Sequence, residues 1–82
     1  MMMILSQDGQ TIASTDNLNY IQVEEIQPYY RQFEYEIKAY YSNDKILLGK
    51  YKTADRANEI LQDMYNQLMT QNFSFTYKMP KE

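Results

Sequence analysis

The chain has 82 residues, eleven acids against eight bases for a net charge of −3, and neither cysteine nor histidine. Domains commonly run to about 100–150 residues, and a chain this short buries only about 60% of its unfolded surface, so residues 1–82 read as a single domain with one core. The two missing residue types exclude a disulfide framework, a thiolate zinc site and Ser-His or Cys-His catalysis. Carboxylates, Lys and Tyr are left to carry any chemistry.

From the amino end, Met1 to Leu5 is apolar for too short a stretch to be a signal peptide or a membrane span, and no base precedes it. A cytoplasmic location is the expectation. Asp8-Gly9 between Met3-Ile4-Leu5-Ser6 and Thr11-Ile12-Ala13-Ser14 predicts a hairpin of two short strands. Asp16-Asn17 is a second turn, because both side chains bond nearby backbone and tolerate positive φ. A third strand then runs from Leu18 to about Ile26, with Ile21 and Val23 on one face and Tyr20, Gln22 and Glu24 on the other. Gln27 to Gln32 reads as a loop, since Pro28 cannot donate to a sheet ladder.

Phe33 to Tyr41 is the plainest strand, with Phe33, Tyr35, Ile37, Ala39 and Tyr41 alternating against Glu34, Glu36, Lys38 and Tyr40. Ser42-Asn43-Asp44 turns the chain into a strand over Lys45–Lys52, where Gly49 marks a bulge or a close backbone approach. Thr53 suits a helix N-cap and Asp55 the positive end of the helix dipole. The helix should span Ala54–Gln71, with Ala57, Ile60, Leu61, Met64 and Leu68 as its core stripe and Glu59, Gln62, Asp63 and Asn66 facing water. Asn72 closes it, and Phe73, Phe75 and Tyr77 alternate as a short last strand.

These elements predict an α+β fold: a twisted antiparallel sheet of five or six strands packed on one C-terminal amphipathic helix, with a pleckstrin-homology-like half-barrel as the alternative. Two glycines are too few for a phosphate-cradling loop. Glu24, Glu25, Glu34 and Glu36 alternate with core residues as a solvated face does, so no catalytic residue, metal ligand or cofactor is expected and the chain reads as no enzyme. Charge is uneven: residues 1–37 hold six acids and one base, while Lys38 to Lys52 holds four bases and one acid. Lys38, Tyr40, Lys50 and Lys52 could form a basic aromatic sheet face. The aromatic-glycine signature of RNA-binding sheets is missing, however, and the sequence pI is about 4.8, which argues against nucleic acid.

Nine tyrosines are the most unusual feature. Tyr35, Tyr41, Tyr51, Tyr65 and Tyr77 fit core and core-edge positions, whereas Tyr29, Tyr30 and Tyr40 fall outside the pattern. With Arg31 these three are the candidate partner-binding residues, because Tyr and Arg dominate interface hot spots. The leading expectation is a non-catalytic protein-interaction module acting through the Tyr29 loop, an exposed sheet edge or a homodimer surface. The alternative is an acidic phage-type inhibitor that mimics nucleic acid, with Glu24, Glu25, Glu34, Glu36 and the helix stripe Asp55, Glu59 and Asp63 converging on one surface.

Ile4-Leu5-Ser6-Gln7-Asp8-Gly9, Asp16-Asn17, Tyr35-Glu36-Ile37-Lys38-Ala39-Tyr40, Leu48-Gly49-Lys50-Tyr51 and Tyr77-Lys78-Met79-Pro80 together resemble a group of short Firmicute and phage-associated proteins. The resemblance spans nearly the whole chain. It implies a host range and a sheet-plus-helix fold; it carries over no activity and no site residue.

Overall fold

A computed structural model of the chain describes residues 3–26, 34–69 and 76–82. In chain order the elements are β1 (Met3–Leu5), β2 (Ile12–Ser14), β3 (Leu18–Ile26), β4 (Glu34–Tyr41), β5 (Lys45–Tyr51), α1 (Ala54–Met69) and β6 (Thr76–Lys78). The expected α+β class is observed. The expected single antiparallel sheet is not, and neither is the half-barrel: the six strands form two three-stranded sheets, ordered β2-β1-β6 and β3-β4-β5.

β1 pairs antiparallel with β2 and parallel with β6, so the last strand returns beside the first after the helix has crossed over. Ile4 sits at the centre of this arrangement. It is fully buried opposite Ala13 on one side and Tyr77 on the other, and Met79 continues the pairing by donating its N–H to the Leu5 carbonyl at 3.0 Å. At Ser6 the chain leaves this sheet and meets the edge of β5, where the Gln7 N–H donates to the Leu48 carbonyl at 2.8 Å. The Gln7 side chain then imitates a strand residue. Its Oε1 accepts from the Lys50 N–H at 2.8 Å, and its Nε2 donates to the carbonyls of Lys50 and Lys81, each at 2.9 Å. One glutamine thus closes the β5 edge and ties it to the carboxyl-terminal tail.

The turns carry the residues their geometry needs. Gly9 and Asn17 have φ of 73° and 62°, the left-handed region that Gly enters freely and Asn better than most. The Ser6 hydroxyl donates to Asp8 Oδ1 at 2.6 Å and the Gln10 N–H to the same oxygen at 2.9 Å, which together hold the Asp8 carboxyl below its usual pKa.

In the second sheet the register slips between Ile37 and Lys38 of β4, so Leu48 is the extra residue of a bulge on β5. The bulge lets Leu47 stay on the outer face while Leu48 and Gly49 are both buried. Gly49 also satisfies the second expectation for it, because a Cβ there would lie 2.8 Å from the Tyr51 hydroxyl and 2.9 Å from its ring.

Helix α1 begins as expected, with the Arg56 N–H donating to Thr53 Oγ1 at 3.1 Å. Ala57, Ile60 and Met64 are buried against Ile37, Ala39 and Leu48 of the second sheet and Ile4, Ala13, Tyr77 and Met79 around the first, a single core spanning both. Glu59, Gln62, Asp63 and Asn66 are exposed as predicted. Gln71, Asn72, Phe73 and Phe75 lie outside the described residues, as does the Leu68 side chain.

Candidate interaction surface

Four strands lie at a sheet margin among the described residues, β2, β6, β3 and β5, and β3 is the longest of them at nine residues. β4 occupies one side of it, and no described strand pairs with the other. Its path is set at the start by a register slip between Leu18 and Tyr20, which makes Asn19 the extra residue. Leu18 and Ile21 consequently both face the helix, while Tyr20, Gln22 and Glu24 face away.

Between this edge and α1 lies a groove of about 650 Å³, lined by Leu18, Asn19, Tyr20 and Ile21 from the strand and by Asn58, Leu61, Gln62, Met64 and Tyr65 from the helix. The lining is aliphatic, phenolic and amide, with no carboxylate, amine or guanidinium. Such a surface gives apolar contact and neutral hydrogen bonding and offers no charged acid–base pair. Tyr65 is 56% exposed, a correction to its expected place at the core edge: it sits one position beyond Met64, on the flank that overhangs the groove. Met69, four residues on and 64% exposed, extends that flank.

On the outer face, cross-strand register builds a small grid. Tyr20 lies opposite Tyr40, Gln22 opposite Lys38 and Glu24 opposite Glu36. The first pair stacks with ring centroids 4.7 Å apart. Glu24 and Glu36 would repel, but Lys38 Nζ sits 3.2 Å from one and 3.3 Å from the other, and Lys50 approaches Glu36 at 4.0 Å. These contacts, Glu24 first, raise the Lys38 pKa. Tyr40, a predicted partner-binding residue, is half-buried, and its hydroxyl donates to Glu24. The exposed member of the aromatic pair is Tyr20, at 52%. Tyr29, Tyr30 and Arg31 lie outside the described residues.

The acids do not share one surface. Glu24 and Glu36 are on the sheet face opposite the helix, and Asp63 of the helix stripe accepts from the Tyr77 hydroxyl at 2.9 Å while Glu59 pairs with Arg56 at 2.5 Å. The expected basic face is likewise divided. Lys38 is engaged by the two glutamates, and Lys52 instead borders a cleft of about 370 Å³ with Lys50, Arg56, Lys81 and Glu82, whose backbone carbonyl accepts from Arg56 Nε at 2.9 Å. Among the described residues no group of three acids could hold a metal ion, and no helix is long and apolar enough to cross a membrane.

Tyr41, Tyr51 and Tyr77 take the core and core-edge positions expected of them, and each also uses its hydroxyl. Tyr41 of the second sheet donates to the Ser14 carbonyl of β2 at 2.5 Å, Tyr51 to the Pro80 carbonyl at 2.7 Å, and Tyr77 of the first sheet to Asp63 of the helix. Burial pushes the Tyr51 phenol up to about 12 and raises that of Tyr41; burial, followed by the Asp63 carboxylate, raises that of Tyr77. No family model, curated protein or solved structure matches the chain.

Proposed function

We propose that this chain is a non-catalytic protein-interaction module that takes up an extended polypeptide segment along β3, with alternate side chains of that segment entering the groove beside α1. The observation that carries the reading is the coincidence of a nine-residue strand lacking a described partner on one side with an apolar groove lined by exposed Tyr65, beyond which Met69 stands exposed one helical turn on. Main-chain hydrogen bonds to a free edge give affinity, and pockets for alternating side chains give selectivity. Tyr29, Tyr30 and Arg31 come three to five residues after the end of β3 in sequence and are proposed as further partner-contacting residues.

The test is a display selection of random peptides on the immobilised protein, repeated on the double variant Tyr65→Glu/Met69→Glu, in which both positions are exposed and helical and the fold is retained. Selected peptides with apolar residues at every second position, losing affinity for the double variant, are the expected result. Selected peptides that bind both proteins equally would remove the groove from the function.

A further inference from the structure

Resting on that reading, we infer that the segment occupying β3 is β3 of a second copy of this chain, paired antiparallel about Gln22 to make one six-stranded sheet across a two-fold axis. The strand's own sequence carries the argument. An antiparallel pair that keeps helix-facing side chains on one face must place even-numbered residues opposite even-numbered ones. Centring on Gln22 sets Tyr20 opposite Glu24 of the second copy and Ile21 opposite its Val23. Apolar side chains then meet on the helix face, a phenol can donate to a carboxylate on the outer face, and no like charges oppose one another. Centring on Val23 instead would set Ile21 against Glu25, and centring on Ile21 would bring the Asn19 bulge opposite Val23 and leave only Tyr20–Gln22 to pair regularly, whereas centring on Gln22 keeps Tyr20–Glu24 clear of it.

The edge has few of the features that keep sheets apart. Natural edge strands are protected by lysine, proline or inward charges; Leu18–Ile26 contains neither lysine nor proline, and its one charge on the helix side, the exposed Glu25, falls opposite Asn19 of the second copy, outside the Tyr20–Glu24 stretch that pairs. The carboxylate of Glu24 is already held by Lys38 and Tyr40. Pairing in this register places the two α1 helices on the same face of the joined sheet. Each groove then opens toward the other helix, and Tyr65 and Met69 of both copies face the joint. Their exposure in a single chain is thereby accounted for, as is the half-exposure of Ile21 and Val23.

The chain has no cysteine, so Gln22→Cys gives a probe that can link only to its own twin. Directly opposed residues of an antiparallel pair have Cα atoms about 4.5–5.5 Å apart, within disulfide reach. In a glutathione redox buffer this variant should convert to a covalent dimer, while Gln10→Cys, in the exposed β1–β2 turn, should stay monomeric. Sedimentation of the unlinked wild type should give a dimer mass that Tyr65→Glu/Met69→Glu weakens by at least about tenfold in Kd. A monomer at every concentration with Gln22→Cys unlinked overturns the second-copy inference, and the peptide selection above then decides the module reading separately. A dimer that ignores the double variant and leaves Gln22→Cys unlinked would also overturn the inference, placing the contact elsewhere.

Discussion

Gln7→Ala is the most direct test of how the two sheets are joined. The substitution removes the acceptor bond from the Lys50 N–H and the two donor bonds to the carbonyls of Lys50 and Lys81, and leaves the Gln7 N–H on Leu48 intact. A hydrogen bond contributes about 0.5–1.5 kcal/mol net, and these three are solvent-accessible, so the sum should lie near 2 kcal/mol. For a domain of this size that corresponds to a fall of about 8–16 °C in Tm. Urea denaturation followed by circular dichroism measures it, and an unchanged m-value would show that the compactness of neither end state has moved. Gln7→Glu sharpens the test, because it keeps an acceptor for Lys50 but turns a second acceptor toward the two carbonyls. It should be less stable than Gln7→Ala at neutral pH. The introduced carboxyl is better tolerated protonated, so its folded pKa is raised and the deficit should shrink as pH falls below that value. A loss under about 0.5 kcal/mol for Gln7→Ala would refute the joining role, and a Gln7→Glu protein more stable than Gln7→Ala at neutral pH would show that the nearby lysine ammonium groups outweigh the carbonyls.

Gly49→Ala should cost about 1–3 kcal/mol, because the new methyl meets a Tyr51 ring that Pro80 holds by its hydroxyl; Gly49→Ala/Tyr51→Leu should recover part of that loss in the same denaturation assay. Lys38→Met leaves Glu24 facing Glu36 and should destabilise by about 1–2 kcal/mol at pH 7. The two acids then favour protonation in the fold, so the loss should diminish on acidification and should vanish with Glu24→Gln added; a pH-independent deficit would show that packing is responsible. On the alkaline side, the unfolded tyrosines ionise near pH 10 while Tyr51 and Tyr77 resist ionisation in the fold. The unfolded state therefore binds fewer protons, and stability should fall from about pH 10 upward, each phenol contributing up to about 1.4 kcal/mol per pH unit. Tyr77→Phe should flatten that slope in pH-dependent urea titrations.

Local chemistry made most elements legible from the residues. The alternation of Tyr35, Ile37, Ala39 and Tyr41 located β4, Thr53 located the helix start, and Gly49 marked the bulge. Each of these signals acts within a few residues of its effect. The division into two sheets rests on contacts between residues far apart in the chain: Ile4 with Tyr77, and Gln7 with Lys50 and Lys81. The alternation through Tyr77 announces a last strand but not its neighbour, because a parallel partner leaves no turn signal in the sequence. The groove was hidden for a related reason. Tyr65 borders the helix stripe, next to Met64, and only the position of β3 relative to α1 determines that this flank reaches past the sheet.

The sequence pattern assigns five tyrosines to the core or its edge and three to contact, and the structure shows what the buried ones do with their hydroxyls. A phenol has an apolar body and a polar tip, so it can fill a core position and still bond a carbonyl or carboxylate at the boundary. Tyr41, Tyr51 and Tyr77 each do so across an element boundary, linking β4 to β2, β5 to the tail after β6, and β6 to α1. In a chain too short to bury much surface, such residues add burial and a fixed direction at once, without requiring a disulfide or metal. What remains exposed for contact is a smaller set, Tyr20 and Tyr65 among the described residues, since Tyr35 packs half-buried against the core. Both are among the residues around the groove, Tyr65 on its helix side and Tyr20 at the strand edge with its ring on the outer face. A tyrosine count therefore says little about binding until the hydroxyls with internal partners are subtracted, and here the remainder points to the β3 edge.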